Sequence, residues 1–411
     1  MLRRMLCALV ALILAFGSAR ALSRDEMRAL WQELSFSRSS ASPYAEEPDP
    51  DRFKPGALTQ AAQADALGCL NFLRAMAGLD PVTLDPLYTL RAQSGALLLA
   101  ANDALTHTPS QPEGMEDELY ACAYAGTSQG NIAKFNWMRP EILIDGVTYF
   151  ARDDGDANLS TLGHRRWLLN PYMAETGFGL ANAESGMSYV TMYAVDDSNA
   201  DAQWDSVAWP SAGVFPVEMM RGSLAWSVSL NDEIYDAATS APRVTLREET
   251  SGASFSFNTL TGEGDGFCTF SREACGSGNC VIFRPELAAA GIQEYVQNQL
   301  WTVTLTGLRL RDGGAAELSY ACEMISLYPQ DVANVELSTL DAVLTPGERL
   351  QLSASVIPEY ADNLSIAWSS SDEAVATVDA HGLVTARAPG ACVVTAQSAN
   401  GRSDSCSSTV Q

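Results

Sequence analysis

The sequence predicts a multi-domain protein, with an α/β layered domain first and β-sandwich modules behind it. Three observations carry this. Apolar residues recur at helical spacing from about residue 58 to 151, and short strand-like runs follow. From Trp204 onward the pattern is β throughout. The length of 411 residues exceeds what one hydrophobic core usually organises.

The first element is an export signal. Arg3 and Arg4 precede an apolar run from Met5 to Phe16, and Ala19 and Ala21 supply the small residues that a signal peptidase reads. Residues 1–21 are therefore expected to be a signal peptide. No later stretch is long and apolar enough for a membrane helix, so a secreted, extracellular or surface-associated product is expected.

The formal net charge is −25, and residues 1–21 hold three arginines and no acid, so the processed chain carries −28. Such a chain is repelled by phosphate backbones and by anionic membranes, which excludes nucleic acid as an expected partner.

Residues 22–58 are rich in Ser, Pro and charge and read as a flexible lead. A helix follows, with Ala66, Leu67, Leu70, Phe72, Leu73 and Met76 on one face and Gly78 at its end. A second helix goes with "DPLYTL", with Leu87, Leu90, Ala92, Ala96, Leu97 and Leu99 as its apolar residues, and a third covers Ile142 to Ala151. "ETGFGLAN" and "MSYVTMYAV" read as strands, which closes a first domain at 59–200. Residues 204–329 read as a β-sandwich-like module. Residues 331–411 form a denser β-module with turns at Asp362-Asn363, His381-Gly382 and Asn400-Gly401, and Trp368 is a candidate for its core.

Eight cysteines lie beyond the signal, an even number that suggests disulfides in an exported chain. Proximity favours Cys275 with Cys280 and Cys392 with Cys406, leaving Cys69 with Cys122 and Cys268 with Cys322. A zinc-cysteine site is disfavoured by the lack of any C-x-x-C pair.

Three histidines limit any imidazole chemistry: His107, His164 and His381. His381, before a glycine between two strands, reads as a solvated turn residue. His107 lies in "ALTHTPS", and His164 opens "GHRRWLLNPYMAETGFG". Together with "LNFLRAMAGLDPVTLDPLYTLRAQSGALLLA" and "SQGNIA", this segment resembles the CAP superfamily of cysteine-rich secretory, antigen-5 and pathogenesis-related-1 proteins, over about 60–195. The resemblance implies a three-layer α-β-α sandwich and a ligand groove containing His107, Asn131 and His164. It also implies that the two histidines could hold a divalent metal such as zinc. Where the family has Glu before Asn, this chain has Gly130 before Asn131. Glu141, Asp145, Asp153 and Asp154 lie upstream of His164, and none matches the family's second acid. A weak metal site and two hydrogen-bonded wall histidines both remain open on this reading.

Two further patterns bear on chemistry. "GTSQG" at 126–130 fits the Gly-x-Ser-x-Gly nucleophile elbow, which would make Ser128 a nucleophile with Asp154 and His164 as partners; the mechanism requires a strand before the serine and a helix after it. "DDGDANLS" at 153–160 resembles the start of a calcium loop, but Arg165 stands where the bidentate Glu is needed.

Residues 331–411, with "WSSSDEAVATVDAHGLVTA" as the most specific run, resemble a group 2 bacterial immunoglobulin-like domain. The resemblance implies a bacterial origin and a spacer or adhesive role. Three functions are expected to compete: binding of a cell-wall, peptide or lipid ligand in the CAP groove, an extracellular hydrolase using His164 with a metal or Ser128, and a structural surface protein with a vestigial groove.

Overall fold

The computed structural model describes residues 12–13, 22–35 and 42–411. The expected signal peptide lies outside the described residues, apart from Leu12–Ile13, a two-residue strand parallel to Ala316–Glu317. The chain forms two compact units, one of Met1–Tyr295 with Gln299–Met324 and one of Val296–Asn298 with Ile325–Gln411.

The lead expected to lack order begins with a helix, α1 (Arg24–Ser35). Asp25 and Glu26 sit in its first turn, where acids favour the helix dipole. Met27, Trp31 and Leu34 recur at helical spacing. Met27 is buried, and the Trp31 ring lies 5.4 Å from that of Phe72 on the next helix. Composition hid this pattern because the Ser- and Pro-rich stretch lies behind the helix. Further on, Tyr44–Glu46 pairs antiparallel with Ala57–Leu58.

Helix α2 (Gln60–Met76) is capped by Thr59, whose Oγ1 accepts from the N–H of Ala62 at 3.1 Å. Helix α3 (Pro86–Asn102) has Asp85 as its cap and Pro86 in its first turn. Then come α4 (Asp117–Ser128), α5 (Ile142–Arg152) and the short α6 (Gly163–Leu168). The sheet among them has three antiparallel strands, Gly130–Phe135, Ser188–Tyr193 and Phe178–Asn182, with Ser188–Tyr193 central.

Adjacent residues on a strand face opposite ways. The Thr191 hydroxyl donates to the carbonyl of Ala92 in α3 at 2.5 Å, while a carbon on Gly146 of α5 would lie 2.6 Å from Val190 Cγ1. Helices thus press on both faces, and α5 approaches closely enough to require glycine there. Leu97, Leu99, Tyr189 and Val190 are fully buried in this core.

The same unit contains two larger β-sheets besides. One runs Ala315–Ile325, Leu300–Arg309, Arg243–Glu248, Ser254–Asn258; the other runs Gly266–Ser271, Asn279–Pro285, Trp226–Leu230, Ser206–Trp209. Alternation puts Val244, Leu246, Trp301, Val303 and Leu305 inside. Rings of the two sheets meet, Trp226 with Trp301 at 6.3 Å and Phe257 with Phe283 at 5.5 Å.

The second unit is built of short strands around Leu352, Val384, Val394, Cys406 and Val410. Trp368 packs against two of its apolar clusters but stays half-buried rather than central.

The eight cysteines among the described residues are free, which corrects the expected disulfides. Cys69 lies 3.8 Å from Thr148 Oγ1, and Cys122 lies 3.9 Å from Ser94 Oγ. Cys322 and Cys268 belong to different sheets, opposite Trp301 and Phe283. Cys275 sits beside Gly163, whereas Cys280 is buried with Leu162, Ala225 and Ile282. Cys392 faces Ser408 and Cys406 faces Val394, so these two are diagonal neighbours, and diagonal positions are about 7–8 Å apart. That separation is outside disulfide range.

Candidate functional site

The site begins at the end of α5. Asp153 caps that helix in the left-handed conformation, φ 48°, which aspartate tolerates better than most residues. The turn buries its carboxylate, and the residue is 2% exposed. Its Oδ1 lies 3.0 Å from Nδ1 of His164. The Asn158 amide donates to the same oxygen at 2.9 Å, and the backbone N–H of Arg165 donates to Oδ2 at 3.3 Å. A carboxylate only accepts, so the Nδ1 that faces it carries a proton, and in the neutral form of the ring Nε2 is the nitrogen with the lone pair. Nε2 has no protein partner among the described residues. The ring lies 5.4 Å from Phe150 and 6.4 Å from Tyr149, and its side chain is 16% exposed.

Two residues of the "GHRR" run hold this arrangement. Arg165 is fully buried and donates to the carbonyls of Ala151 and Arg152, both at 2.6 Å, and of Ala225 at 2.7 Å, with Ser227 Oγ at 3.3 Å. Burial pulls its pKa down to about 10, so it stays charged at neutral pH. Arg166 reaches the carbonyls of Glu273 at 3.0 Å and Gly278 at 2.7 Å. The short helix α6 bearing His164 is therefore pinned to the last turn of α5 and to the β-sheets that follow. Asn131 adds a third tie, donating to the carbonyl of His164 at 2.9 Å.

His107 is exposed after α3, with its Nδ1 2.8 Å from the Thr127 carbonyl at the end of α4. Gly130 follows that helix end. A carbon there would lie 2.3 Å from the Gly126 oxygen and 3.0 Å from the Met192 oxygen. The family's glutamate thus has no room on this backbone.

Zinc needs three or four protein ligands. Both imidazoles have Nδ1 occupied and Nε2 oriented by an outer partner, as ligands would be. Yet no group of three or more His, Cys, Asp or Glu is placed to hold a metal among the described residues. The donor set does not fit zinc. The calcium pattern gains no support either: Asn158 gives its amide N–H to Asp153, and the acids of 153–156 form no metal-holding group among the described residues.

The nucleophile elbow is corrected too. Ser128 is the last residue of a helix and precedes the strand Gly130–Phe135, the reverse of the required order. Its hydroxyl donates back to the Tyr124 carbonyl at 2.7 Å. His381 is exposed, and its N–H binds Asp379 at 2.8 Å.

Comparison with known proteins bears on this geometry. Residues 67–194 match the cysteine-rich secretory protein family, CAP, and residues 331–408 match the bacterial Ig-like domain, group 2. The chain carries a CAP domain and a bacterial Ig-like domain. This CAP domain contains both histidines, Asn131 and the Asp153 carboxylate. Among curated proteins, the chain is 48% identical over 79 residues to a lacto-N-biosidase of Bifidobacterium bifidum, covering 19% of this chain and 7% of that one. It is 34% identical over 99 residues to an Ig-like virion protein of Serratia phage KSP90, covering 24% and 36%. The chain thus spans well under two thirds of the curated relatives it matches. Among solved structures it is similar to an intimin mutant of EHEC O157:H7, at 22% identity and TM-score 0.16 over 18% of this chain and 45% of that one. Domains 4 and 5 of the S-layer protein SbsC match at 12% identity and TM-score 0.18, over 26% and 64%. A CAP domain joined to a bacterial Ig-like domain fits a surface or adhesion-like protein.

Proposed function

We propose that this chain is an exported bacterial protein whose CAP domain binds an extracellular ligand, a cell-wall, peptide or lipid fragment, beside His164. The Ig-like module acts as a spacer or adhesive unit. The observation that carries the reading is the buried Asp153 carboxylate against Nδ1 of His164, which fixes the imidazole and leaves Nε2 for a ligand. Helices on both faces of the three-stranded sheet support a three-layer α-β-α sandwich for this domain. Binding of cell-wall fragments, peptides and lipid vesicles to the full chain, compared with His164→Ala and His107→Ala variants, tests the proposal. Binding that neither variant weakens overturns it.

The same contact favours a second reading. A histidine oriented by a carboxylate can serve as a general base toward water, which would make the protein an extracellular hydrolase without Ser128 and without a metal. Turnover of ester, amide or glycoside substrates that Asp153→Asn and His164→Ala both abolish would support it.

A further inference from the structure

Beside His164, the CAP domain presents aromatic residues to solvent. Trp137 is 46% exposed, Met138 42% and Tyr149 37%. Beneath them lie Phe135 and Phe150, both buried. Ring to ring, the path runs from Trp137 to Phe135 at 5.0 Å, from Phe135 to Tyr149 at 6.0 Å and from Tyr149 to His164 at 6.4 Å. The ledge is held firmly. Trp137 Nε1 donates to Asp145 at 3.4 Å, and Arg139 clamps that carboxylate through two bonds of 2.5 and 2.6 Å. At the other end, the Tyr149 hydroxyl has no protein partner among the described residues, and the exposed Asp154 acts on it electrostatically.

We propose that this ledge binds an uncharged polysaccharide chain, with sugar rings lying on Trp137 and Tyr149 and one hydroxyl reaching Nε2 of His164. The inference rests on the ligand-binding reading and names its ligand class. Sugar rings present C–H faces that pack on aromatic surfaces and hydroxyls that donate hydrogen bonds. The polar groups around the ledge all offer acceptor atoms: the Asp154 carboxylate, which only accepts, the Tyr149 hydroxyl, which accepts as well as donates, and Nε2 of the neutral His164 ring. A polyhydroxylated chain supplies donors for all of them. A proline-rich peptide also packs on exposed rings, but proline has no N–H to offer. Polyanions and anionic lipids are disfavoured because Arg139 is committed to Asp145 and the chain is strongly acidic.

The test is calorimetric titration of the full chain with N-acetylglucosamine tetramer and cellotetraose, with a proline-rich peptide and neutral lipid vesicles in parallel. Wild type is compared with Trp137→Ala, Tyr149→Ala and His164→Ala, each checked by circular dichroism. Binding of either oligosaccharide that Trp137→Ala and Tyr149→Ala each weaken by about tenfold or more supports the ledge. Oligosaccharide binding that only His164→Ala weakens overturns the ledge and keeps the ligand site. Binding of only the peptide or vesicles, dependent on His164, overturns the glycan class and again keeps the site. Binding of none of the four probes overturns the glycan proposal, and the ligand-binding reading is then judged separately on its own cell-wall panel.

Discussion

Asp153 holds His164 from one side while Arg165, the next residue in the chain, holds Asp153 through its backbone N–H. Replacing Asp153 by Ala is expected to lower stability by about 1–3 kcal/mol, because buried donors lose their acceptor. It should also free the ring to exchange tautomers. Chemical denaturation measures the first effect. Nitrogen chemical shifts of the His164 ring measure the second, and an unchanged tautomer in Asp153→Ala would contradict the assigned proton position.

Arg165→Lys keeps the charge but loses the fork that serves Ala151, Arg152 and Ala225. About 2–4 kcal/mol of stability should be lost, as several buried carbonyls go unpaired. A change below about 0.5 kcal/mol, the range of ordinary surface substitutions, would show that the guanidinium is dispensable.

Restoring the family's acid as Gly130→Glu is expected to destabilise the CAP domain rather than build a metal site. The new side chain would collide with the Gly126 oxygen. Thermal denaturation with and without added zinc checks this, and stabilisation by zinc would be the contrary result.

Stability should fall as pH rises above about 9. Burial pushes the Cys69 thiol from 9.0 to about 11 and the Tyr235 hydroxyl from 10.0 to about 12. The unfolded chain releases these protons first, so their contribution is complete below pH 9 and is lost as pH climbs through the folded values. Urea denaturation across pH 7–11 reads the slope. Because the thiols are free, added reductant should leave the midpoint unchanged at neutral pH.

Much of the CAP core was legible from spacing. Helices α2, α3 and α5 fall where apolar residues recur, and Gly78 follows the end of α2; the caps Thr59 and Asp85 were seen only in the structure. Helix α4 was missed because its buried residues are Ala123, Gly126 and Thr127, too small and polar to register as an apolar face. His164 and Asn131 were recognisable from motif. Asp153 could only be named as one of four nearby acids, since spacing does not reveal which carboxylate a left-handed turn folds inward. Leu87 and Leu90, read as part of the apolar pattern of α3, are exposed at 49% and 51%.

Arg165 and Arg166 give the two halves of the first unit a shared fate. Neighbours in sequence, they end on or beside different strands of the β-sheet beyond residue 204, at Ala225 and Ser227 and at Ser271 and Gly278. Excising the CAP segment at residue 200 would strand two guanidinium groups without those acceptors, on the very helix that carries His164. A gene rearrangement that moved the CAP segment alone would bring an unsupported site to its new host, so the two segments are expected to travel together.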